Sequence, residues 1–289
     1  MIKVNGREVK VNHFPDGSQA LLNVDITPSI PRDGARHFDI CWLSYNGDEE
    51  CMTLFYITKH IREHYPNATI ALSMPYIINA RMDRVKSYDE VFTLKWFCQF
   101  INSLNFKVVR VLDAHSNVSL ALLDRVEVIN VERHIGYVIG YVLGENDYVY
   151  FPDAGSMKRY ATMECFSHNN LHIIYGEKDR DWKTGEIQGL KIFDRDGERI
   201  DTDENYFPKR ASVLMVDDII SYGGTLYHSA KKLKKMGAGD IYAYATHTEN
   251  SVLDKEKGTF IKCLEDGTVN RLYTTDSLYA GSHPRITVI

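Results

Sequence analysis

The residues best suited to chemistry in this chain follow an apolar run over residues 213–216. Two carboxylates, a serine, an aromatic residue, two glycines and a threonine lie within the nine residues that follow. Glycine lets the backbone approach an anion closely, and free N–H groups at the start of a helix bind phosphate. Neighbouring carboxylates accept hydrogen bonds from the vicinal hydroxyls of a sugar. The candidate residues for binding a sugar phosphate are Asp217, Asp218, Ser221, Tyr222, Gly223, Gly224 and Thr225.

The spacing V-D-D-x-x-x-x-G-G-T favours this interpretation over a tight strand–helix turn capped by an aspartate. The end of a strand in an open α/β sheet is also where such ligands bind. The pattern G-x-x-x-x-G-K-[ST], which marks another kind of phosphate loop, is absent from the sequence.

Charged side chains in three other stretches suit anionic or metal-bound ligands. Two arginines flank an aspartate after one predicted strand, a histidine follows another, and a lysine and an arginine alternate on a third. Guanidinium forks match phosphate oxygens. Taken singly, each stretch is also compatible with a solvated loop, a structural histidine or a charged hairpin tip. The residues are Arg81, Asp83, Arg84, His115, Lys178 and Arg180.

Composition restricts the class of protein. The formal net charge of −5 provides no basic field for nucleic acid, so an anion must be held by local groups. The amino terminus is polar, and no apolar run approaches the roughly 18 residues of a membrane span. From the charge and the lack of a long apolar run we expect a protein that binds neither nucleic acid nor membrane. The five cysteines show no C-x-x-C spacing and predict reduced thiols of a cytoplasmic protein.

The order of predicted elements indicates an α/β protein with two domains. A hairpin around Asn5-Gly6 opens the chain, and strands then alternate with helices in two successive series. Such alternation favours largely parallel sheets flanked by helices. We expect domains over residues 1–133 and 134–277, with residues 278–289 returning to the first domain.

The segment with the acidic pair resembles the ribose 5-phosphate loop of type I phosphoribosyltransferases and ribose-phosphate pyrophosphokinases. Further stretches resemble only the second family, and they follow its order. They are HFPDGS (13–18), MPYIINARMDR (74–84), VLDAHSNVSLALL (111–123), FPDAGSMKRYA (151–161), GEKDRDWKTGEI (176–187) and, after the loop, TTDSL (274–278). One residue departs from the family pattern, because Met82 stands where a glutamine is usual.

The resemblance implies two tandem phosphoribosyltransferase-type domains and transfer of the β,γ-diphosphoryl group of ATP to the anomeric hydroxyl of ribose 5-phosphate. It implies Mg²⁺ as cofactor and a homo-oligomer with sites at subunit interfaces. In the roles it assigns, Phe14, Asp16, Arg81, Asp83 and Arg84 bind ATP, His115 and Asp153 bind the metal, Lys178 and Arg180 are catalytic, and residues 217–225 bind the ribose phosphate.

The identity of the acceptor stays open between ribose 5-phosphate and ADP-ribose, because the bulky ring of Tyr222 within the phosphate loop also suits ADP-ribose, an acceptor in NAD metabolism. A third interpretation is a non-catalytic regulatory homologue. Such proteins usually lose loop residues, whereas this chain retains Lys178, Arg180, His115 and Asp217. A phosphoribosyltransferase would not explain residues 74–123.

Overall fold

The computed structural model describes residues 1–30, 34–167, 170–180 and 187–289. Of residues 179, 180, 187 and 188 it describes only the backbone. The chain divides into two compact units, Met1–Asn130 and Val131–Ile289. The sequence predicts a boundary after residue 133. Among the described residues, no helix is both long and apolar enough to cross a membrane.

Among its described residues the first unit contains a mixed sheet, a small hairpin and three helices. In chain order its elements are β1 (Ile2–Val4), β2 (Arg7–Glu8), β3 (Val11–His13), β4 (Gln19–Leu21), β5 (His37–Trp42), α1 (Glu49–His64), β6 (Thr69–Ser73), α2 (Thr93–Ser103), β7 (Val108–Leu112), α3 (Asn117–Leu122) and β8 (Val126–Ile129).

The sheet of the first unit has the strand order β2-β1-β5-β6-β7-β8. Its last four strands run parallel, whereas β1 pairs antiparallel with both β2 and β5. Phe38, Ile40 and Trp42 alternate along β5 and are buried, as expected for a strand with one apolar face. The predicted hairpin at Asn5-Gly6 is confirmed, and both of its turn residues have positive φ.

The second unit contains one larger sheet and four α-helices among its described residues. Its elements are α4 (Glu132–Val142), β9 (Tyr148–Phe151), α5 (Ala154–Tyr160), β10 (His172–Arg180), β11 (Ile187–Asp194), β12 (Val213–Ile220), α6 (Gly224–Lys235), β13 (Ile241–Thr248), α7 (Phe260–Glu265), β14 (Arg271–Thr274) and β15 (Ile286–Val288), with short 3₁₀ helices at Glu164–Phe166 and Asn250–Leu253.

The second sheet has the order β11-β10-β9-β12-β13-β14-β15, and every neighbouring pair is parallel except β10 with β11. Central strands buried on both faces are near-continuous apolar runs. Accordingly, Val213–Val216 of β12 and Tyr148–Phe151 of β9 are entirely buried.

The carboxyl-terminal strand differs from our expectation. Residues 278–289 do not join the first unit, because β15 pairs in parallel with β14 and extends the second sheet. Ile286 is buried in the core of the second unit, and the backbone N–H of Ile289 donates to the carbonyl of Thr274. The backbone hydrogen bonds of β15 and the burial of Ile286 together hold this segment in place.

Candidate functional site

The carboxyl ends of three parallel strands bring several predicted residues to one edge of the second sheet. Strand β9 pairs with β12 on one side and with β10 on the other, and all three run in the same direction. Asp153 follows β9, Lys178 lies near the end of β10, and Asp217 and Asp218 lie in the second half of β12. The sequence placed the end of the β12 strand at Val216, whereas the structure continues it to Ile220.

The loop between β12 and α6 has a backbone conformation that requires glycine. Gly223 has φ of +79°, and a Cβ atom added there would collide with Cβ of Phe260. The carbonyl of Tyr222 accepts hydrogen bonds from the N–H groups of Thr259 and Phe260, at 2.9 and 3.1 Å. It also accepts one from Oγ1 of Thr259 at 2.9 Å. These bonds fix the loop against the start of α7, directly before the amino terminus of α6.

Tyr222 as a whole residue is 40% exposed, although its carbonyl is held in place. Gly224 opens α6 with an ordinary backbone conformation, and the nearest atom to a Cβ added there would be Oγ1 of Thr259 at 3.8 Å. The two adjacent glycines therefore have different roles. Gly223 permits the turn, whereas Gly224 leaves the first N–H groups of the helix uncovered.

The two carboxylates of β12 have different surroundings. Asp218 is buried, and its Oδ2 lies 3.2 Å from Nη1 of Arg159 on α5. Its backbone N–H donates to Oδ1 of Asp217 at 3.0 Å. Desolvation, together with the negative charges of Asp218 and Asp153, raises the pKa of Asp217 well above its usual range. Three carboxylates are therefore close enough to repel one another, and a cationic ligand would relieve that repulsion.

Arg159 is a site residue that the sequence analysis did not select. It is the arginine of the segment FPDAGSMKRYA, six residues after Asp153. Helix α5 carries it back to Asp218, which is 59 residues later in the chain. The position of Arg159 in that segment, which resembles the pyrophosphokinase family, is the signal that could have identified it.

Asp153 caps α5 and also contacts a lysine. Its Oδ1 accepts from the N–H of Ser156 at 2.9 Å, and the backbone N–H of Asp153 donates to Oγ of Ser156 at 3.3 Å, which completes a capping box. Oδ2 of Asp153 lies 3.6 Å from Nζ of Lys178, whose side chain is only 11% exposed. The ammonium group of Lys178 is thus held at this edge.

The buried hydroxyl of Tyr150 connects the elements that form this edge of the second sheet. The hydroxyl of Tyr150 on β9 lies 2.9 Å from Oγ of Ser229, which donates to the carbonyl of Thr225 at 3.0 Å. Burial raises the pKa of Tyr150, so the phenol stays neutral. A Cβ atom added at Gly176 of β10 would collide with the same hydroxyl. Tyr150 therefore links β9, the first turn of α6 and β10.

In the first unit, two predicted stretches follow neighbouring parallel strands. Residues 74–84 come after β6, and His115 comes after β7. The N–H of Leu112 donates to the carbonyl of Pro75, which keeps the two stretches adjacent beyond the end of β6. Arg81 and Arg84 are exposed, and Nε of Arg84 lies 3.0 Å from Oδ1 of Asp83. His115 is half-buried.

The segment HFPDGS forms the turn of the β3–β4 hairpin. The N–H of Phe14 donates to the carbonyl of Ser18, and Oδ1 of Asp16 accepts from the N–H and Oγ of Ser18 at 2.9 and 2.6 Å. These hydrogen bonds lower the pKa of Asp16. Phe14 is 57% exposed. The turn therefore presents an aromatic ring outward.

The side chain of Arg180, which the sequence analysis pairs with Lys178, lies outside the described part of the structure.

Comparisons with known proteins identify relatives along most of the chain, although no family model matches the sequence. The chain is 26% identical over 242 residues to a ribose-phosphate pyrophosphokinase of Saccharolobus solfataricus, covering 83% of this chain and 76% of that protein. It is 27% identical over 286 residues to ribose-phosphate pyrophosphokinase 2 of Enterococcus faecalis, covering 96% and 79%.

A solved structure with the same fold is phosphoribosylpyrophosphate synthetase from Mycobacterium smegmatis. It matches 98% of this chain and 85% of its own, with a TM-score of 0.65 and 15% sequence identity. This similarity confirms the predicted α/β fold class.

Proposed function

Because the chain belongs to the ribose-phosphate pyrophosphokinase family, we propose that it transfers the β,γ-diphosphoryl group of ATP to the anomeric hydroxyl of ribose 5-phosphate. The products are phosphoribosyl pyrophosphate and AMP. One observation carries the proposal: a glycine-dependent loop, a carboxylate pair and the Lys178–Asp153 pair occupy one edge of the second sheet.

The second unit supplies the groups that a ribose phosphate needs. The uncovered N–H groups at the start of α6 bind the 5-phosphate, with the hydroxyls of Ser221 and Thr225 nearby. Asp217 and Asp218 accept hydrogen bonds from the ribose hydroxyls. Arg159 holds Asp218 in position.

Diphosphoryl transfer requires in-line positioning and stabilisation of negative charge more than covalent catalysis. Lys178 places a cation beside Asp153 at this edge, and its ammonium group stabilises charge on the transferring group. We assign Arg180 the same role because it is two residues further along β10. No general base is needed for this assignment.

The site chemistry fits Mg²⁺, which prefers carboxylate and substrate oxygens over a complete protein cage. Asp153 uses Oδ1 for its helix cap, and Oδ2 remains beside Lys178. The mutual repulsion that raises the pKa of Asp217 also favours a divalent cation. When bound, Mg²⁺ would neutralise phosphate charge and orient the diphosphoryl group. Asp153 is the ligand we propose in the second unit, and His115 is the one in the first.

The first unit binds ATP in this proposal. The exposed guanidinium groups of Arg81 and Arg84 contact its phosphates, with Asp83 orienting Arg84. Phe14 and Asp16 lie at the tip of a hairpin, and we propose that they reach the adenine of a neighbouring subunit. A homo-oligomer is therefore part of the proposal.

The test is product identification by mass spectrometry after incubation with ATP, Mg²⁺ and ribose 5-phosphate. We expect AMP and a pentose carrying three phosphoryl groups in total, with no product when Mg²⁺ is chelated. ADP in place of AMP would refute diphosphoryl transfer. Failure of every acceptor would favour a non-catalytic regulatory homologue.

A second candidate acceptor is ADP-ribose, which the exposed ring of Tyr222 favours. An esterified 5-phosphate continues into a second group, which needs an open side and gains from an aromatic surface. Base–aromatic stacking is worth roughly 1–3 kcal/mol in nucleic-acid binding. Tyr222→Ala should therefore weaken the binding of ADP-ribose by about tenfold or more, and it should change the binding of ribose 5-phosphate little.

Comparing both acceptors in wild type and Tyr222→Ala tests the residue and the substrate together. If ribose 5-phosphate is the acceptor, ADP-ribose gives no product in either protein. If ADP-ribose reacts equally well in both, the acceptor is right and the role of Tyr222 is wrong.

A further inference from the structure

The last turns of α1 gather three metal-ligating side chains that have no role in the proposed transfer. His60, Glu63 and His64 are spaced i, i+3 and i+4, so they share one face of the helix. One potential ligand atom from each lies within 4.8 Å of the other two. His60 is half-buried, and the other two side chains are exposed. The site therefore opens to solvent.

One histidine is already oriented for coordination. Nδ1 of His64 lies 3.0 Å from the backbone carbonyl of His60, so this nitrogen donates and leaves Nε2 as an acceptor. Metal-bound histidines characteristically donate their second N–H to a carbonyl or carboxylate in this way. The two imidazole rings have centroids 4.3 Å apart. The pair is thus preorganised by the helix backbone.

The helix that carries the cluster is anchored in the core. Ile57 and Ile61, which flank the cluster on α1, are buried. Arg62 is directed to the carbonyls of Leu104 and Asn105, at 3.1 and 2.7 Å, and so does not pair with Glu63. Glu63 has no hydrogen bond or ion pair with the residues that the structure describes. Its carboxylate is therefore available to a cation.

We propose that His60, Glu63 and His64 form a binding site for a divalent transition metal ion such as Zn²⁺. Two imidazole nitrogens and one carboxylate oxygen suit zinc, copper or nickel better than magnesium, which prefers oxygen ligands. Ligands about 2.1 Å from one zinc ion lie no more than about 4.2 Å apart, and the present separations of at most 4.8 Å need only small side-chain rotations to reach this range.

Three protein ligands leave a fourth position of a tetrahedral zinc ion open. His60 also lines a cavity of about 540 Å³ with Tyr56, Ile57 and residues of the β3–β4 region. The fourth ligand is therefore water or a small molecule with a coordinating group. The helix carboxyl terminus nearby, at Tyr65, adds a partial negative charge that favours the cation.

Isothermal titration of tag-free protein with ZnCl₂ tests the site directly. We expect His60→Gln and His64→Gln each to weaken the zinc-binding event by on the order of tenfold or more, and Glu63→Gln to weaken it less. His228→Gln, which removes an exposed histidine from α6, is the matched control and should bind zinc as wild type does. MgCl₂ at millimolar concentration should not compete.

Zinc binding of unchanged strength in both histidine variants would overturn the proposal, as would displacement by Mg²⁺. Far-UV circular dichroism of each variant checks that α1 is intact, and if one variant is misfolded the other decides. The readout is metal binding, so the result is independent of the diphosphoryl-transfer assay.

Discussion

The two units present their proposed ligand groups in different ways. In the second unit, the loop after β12 offers backbone N–H groups, and its shape depends on Gly223 and on the bonds to Tyr222. In the first unit, the stretch after β6 packs Ile77, Ile78 and Ala80 into the core and offers exposed arginine side chains. One proposed anion site is thus built from backbone groups and the other from side chains.

This difference determines how each site tolerates change. A backbone site fails when the main chain must move, even if no functional group is removed. A side-chain site loses one group at a time, and exposed charged groups contribute little individually. Substitutions should therefore have larger effects in the second unit than in the first.

Gly223→Ala should have the largest effect. The new Cβ collides with Phe260, and φ of +79° is strained for alanine. A left-handed conformation costs about 1–2 kcal/mol and overpacking about 1–3 kcal/mol, so we expect a loss of about 3 kcal/mol in unfolding free energy. Urea denaturation measures it. Gly224→Ala is the matched control, because its Cβ meets only ordinary contacts. Equal stability of the two variants would contradict the assigned role of Gly223.

Lys178→Ala should lower kcat by on the order of 10²-fold, since removing one donor aimed at transition-state charge has this size of effect. Acceptor binding should be nearly intact. Steady-state kinetics with both substrates varied separates the two effects. Lys158→Ala removes the same charge from an exposed position on α5 and serves as control. We expect Arg180→Ala to behave like Lys178→Ala, and near-full turnover in either would assign that residue to a structural hairpin.

Asp217→Asn and Asp218→Asn should raise KM for the acceptor by about tenfold while changing KM for ATP less, because an amide satisfies sugar hydroxyls only in part. Asp218→Asn also removes the partner of Arg159. Arg159→Lys keeps the charge without the planar fork and should give an intermediate value. Unchanged acceptor KM in both aspartate variants would refute placing the sugar in the second unit.

Arg81→Ala should have the smallest effect, a rise in KM for ATP of about threefold to tenfold, because an exposed ionic contact is weak. Lys86→Ala removes one positive charge from an exposed position two residues beyond this stretch and should leave KM for ATP unchanged. A loss in Arg81→Ala as large as that in Lys178→Ala would break the contrast between the two units.

Much of the fold followed from sequence patterns, since long periodic segments identify their own structure. The sequence patterns predict helices over residues 52–65 and 89–104, and the structure has helices over Glu49–His64 and Thr93–Ser103. The central strands of both sheets were also predicted. Strand β5 was missed because only Phe38, Ile40 and Trp42 alternate across its six residues. Its identity depends on pairing with β1 and β6, which a local pattern does not contain.

The site was less predictable than the fold. The loop residues 217–225 could be selected because they carry their chemistry locally, whereas Lys178 was selected through the order of the segments that resemble the family. The Arg159–Asp218 pair depends on how α5 packs beside β12, and the support from Tyr150 depends on strand order. Such contacts join residues far apart in the chain, so spacing alone does not reveal them.

The contact between Tyr150 and Gly176 makes two positions interdependent in evolution. Any side chain at position 176 would overlap the Tyr150 hydroxyl, and it would also crowd the carbonyl of Pro152 at 3.0 Å and Leu190 at 3.1 Å. A homologue with a larger residue at 176 must therefore carry a shorter one at 150. In an alignment of homologues the two columns should covary, with tyrosine at 150 occurring only beside glycine at 176.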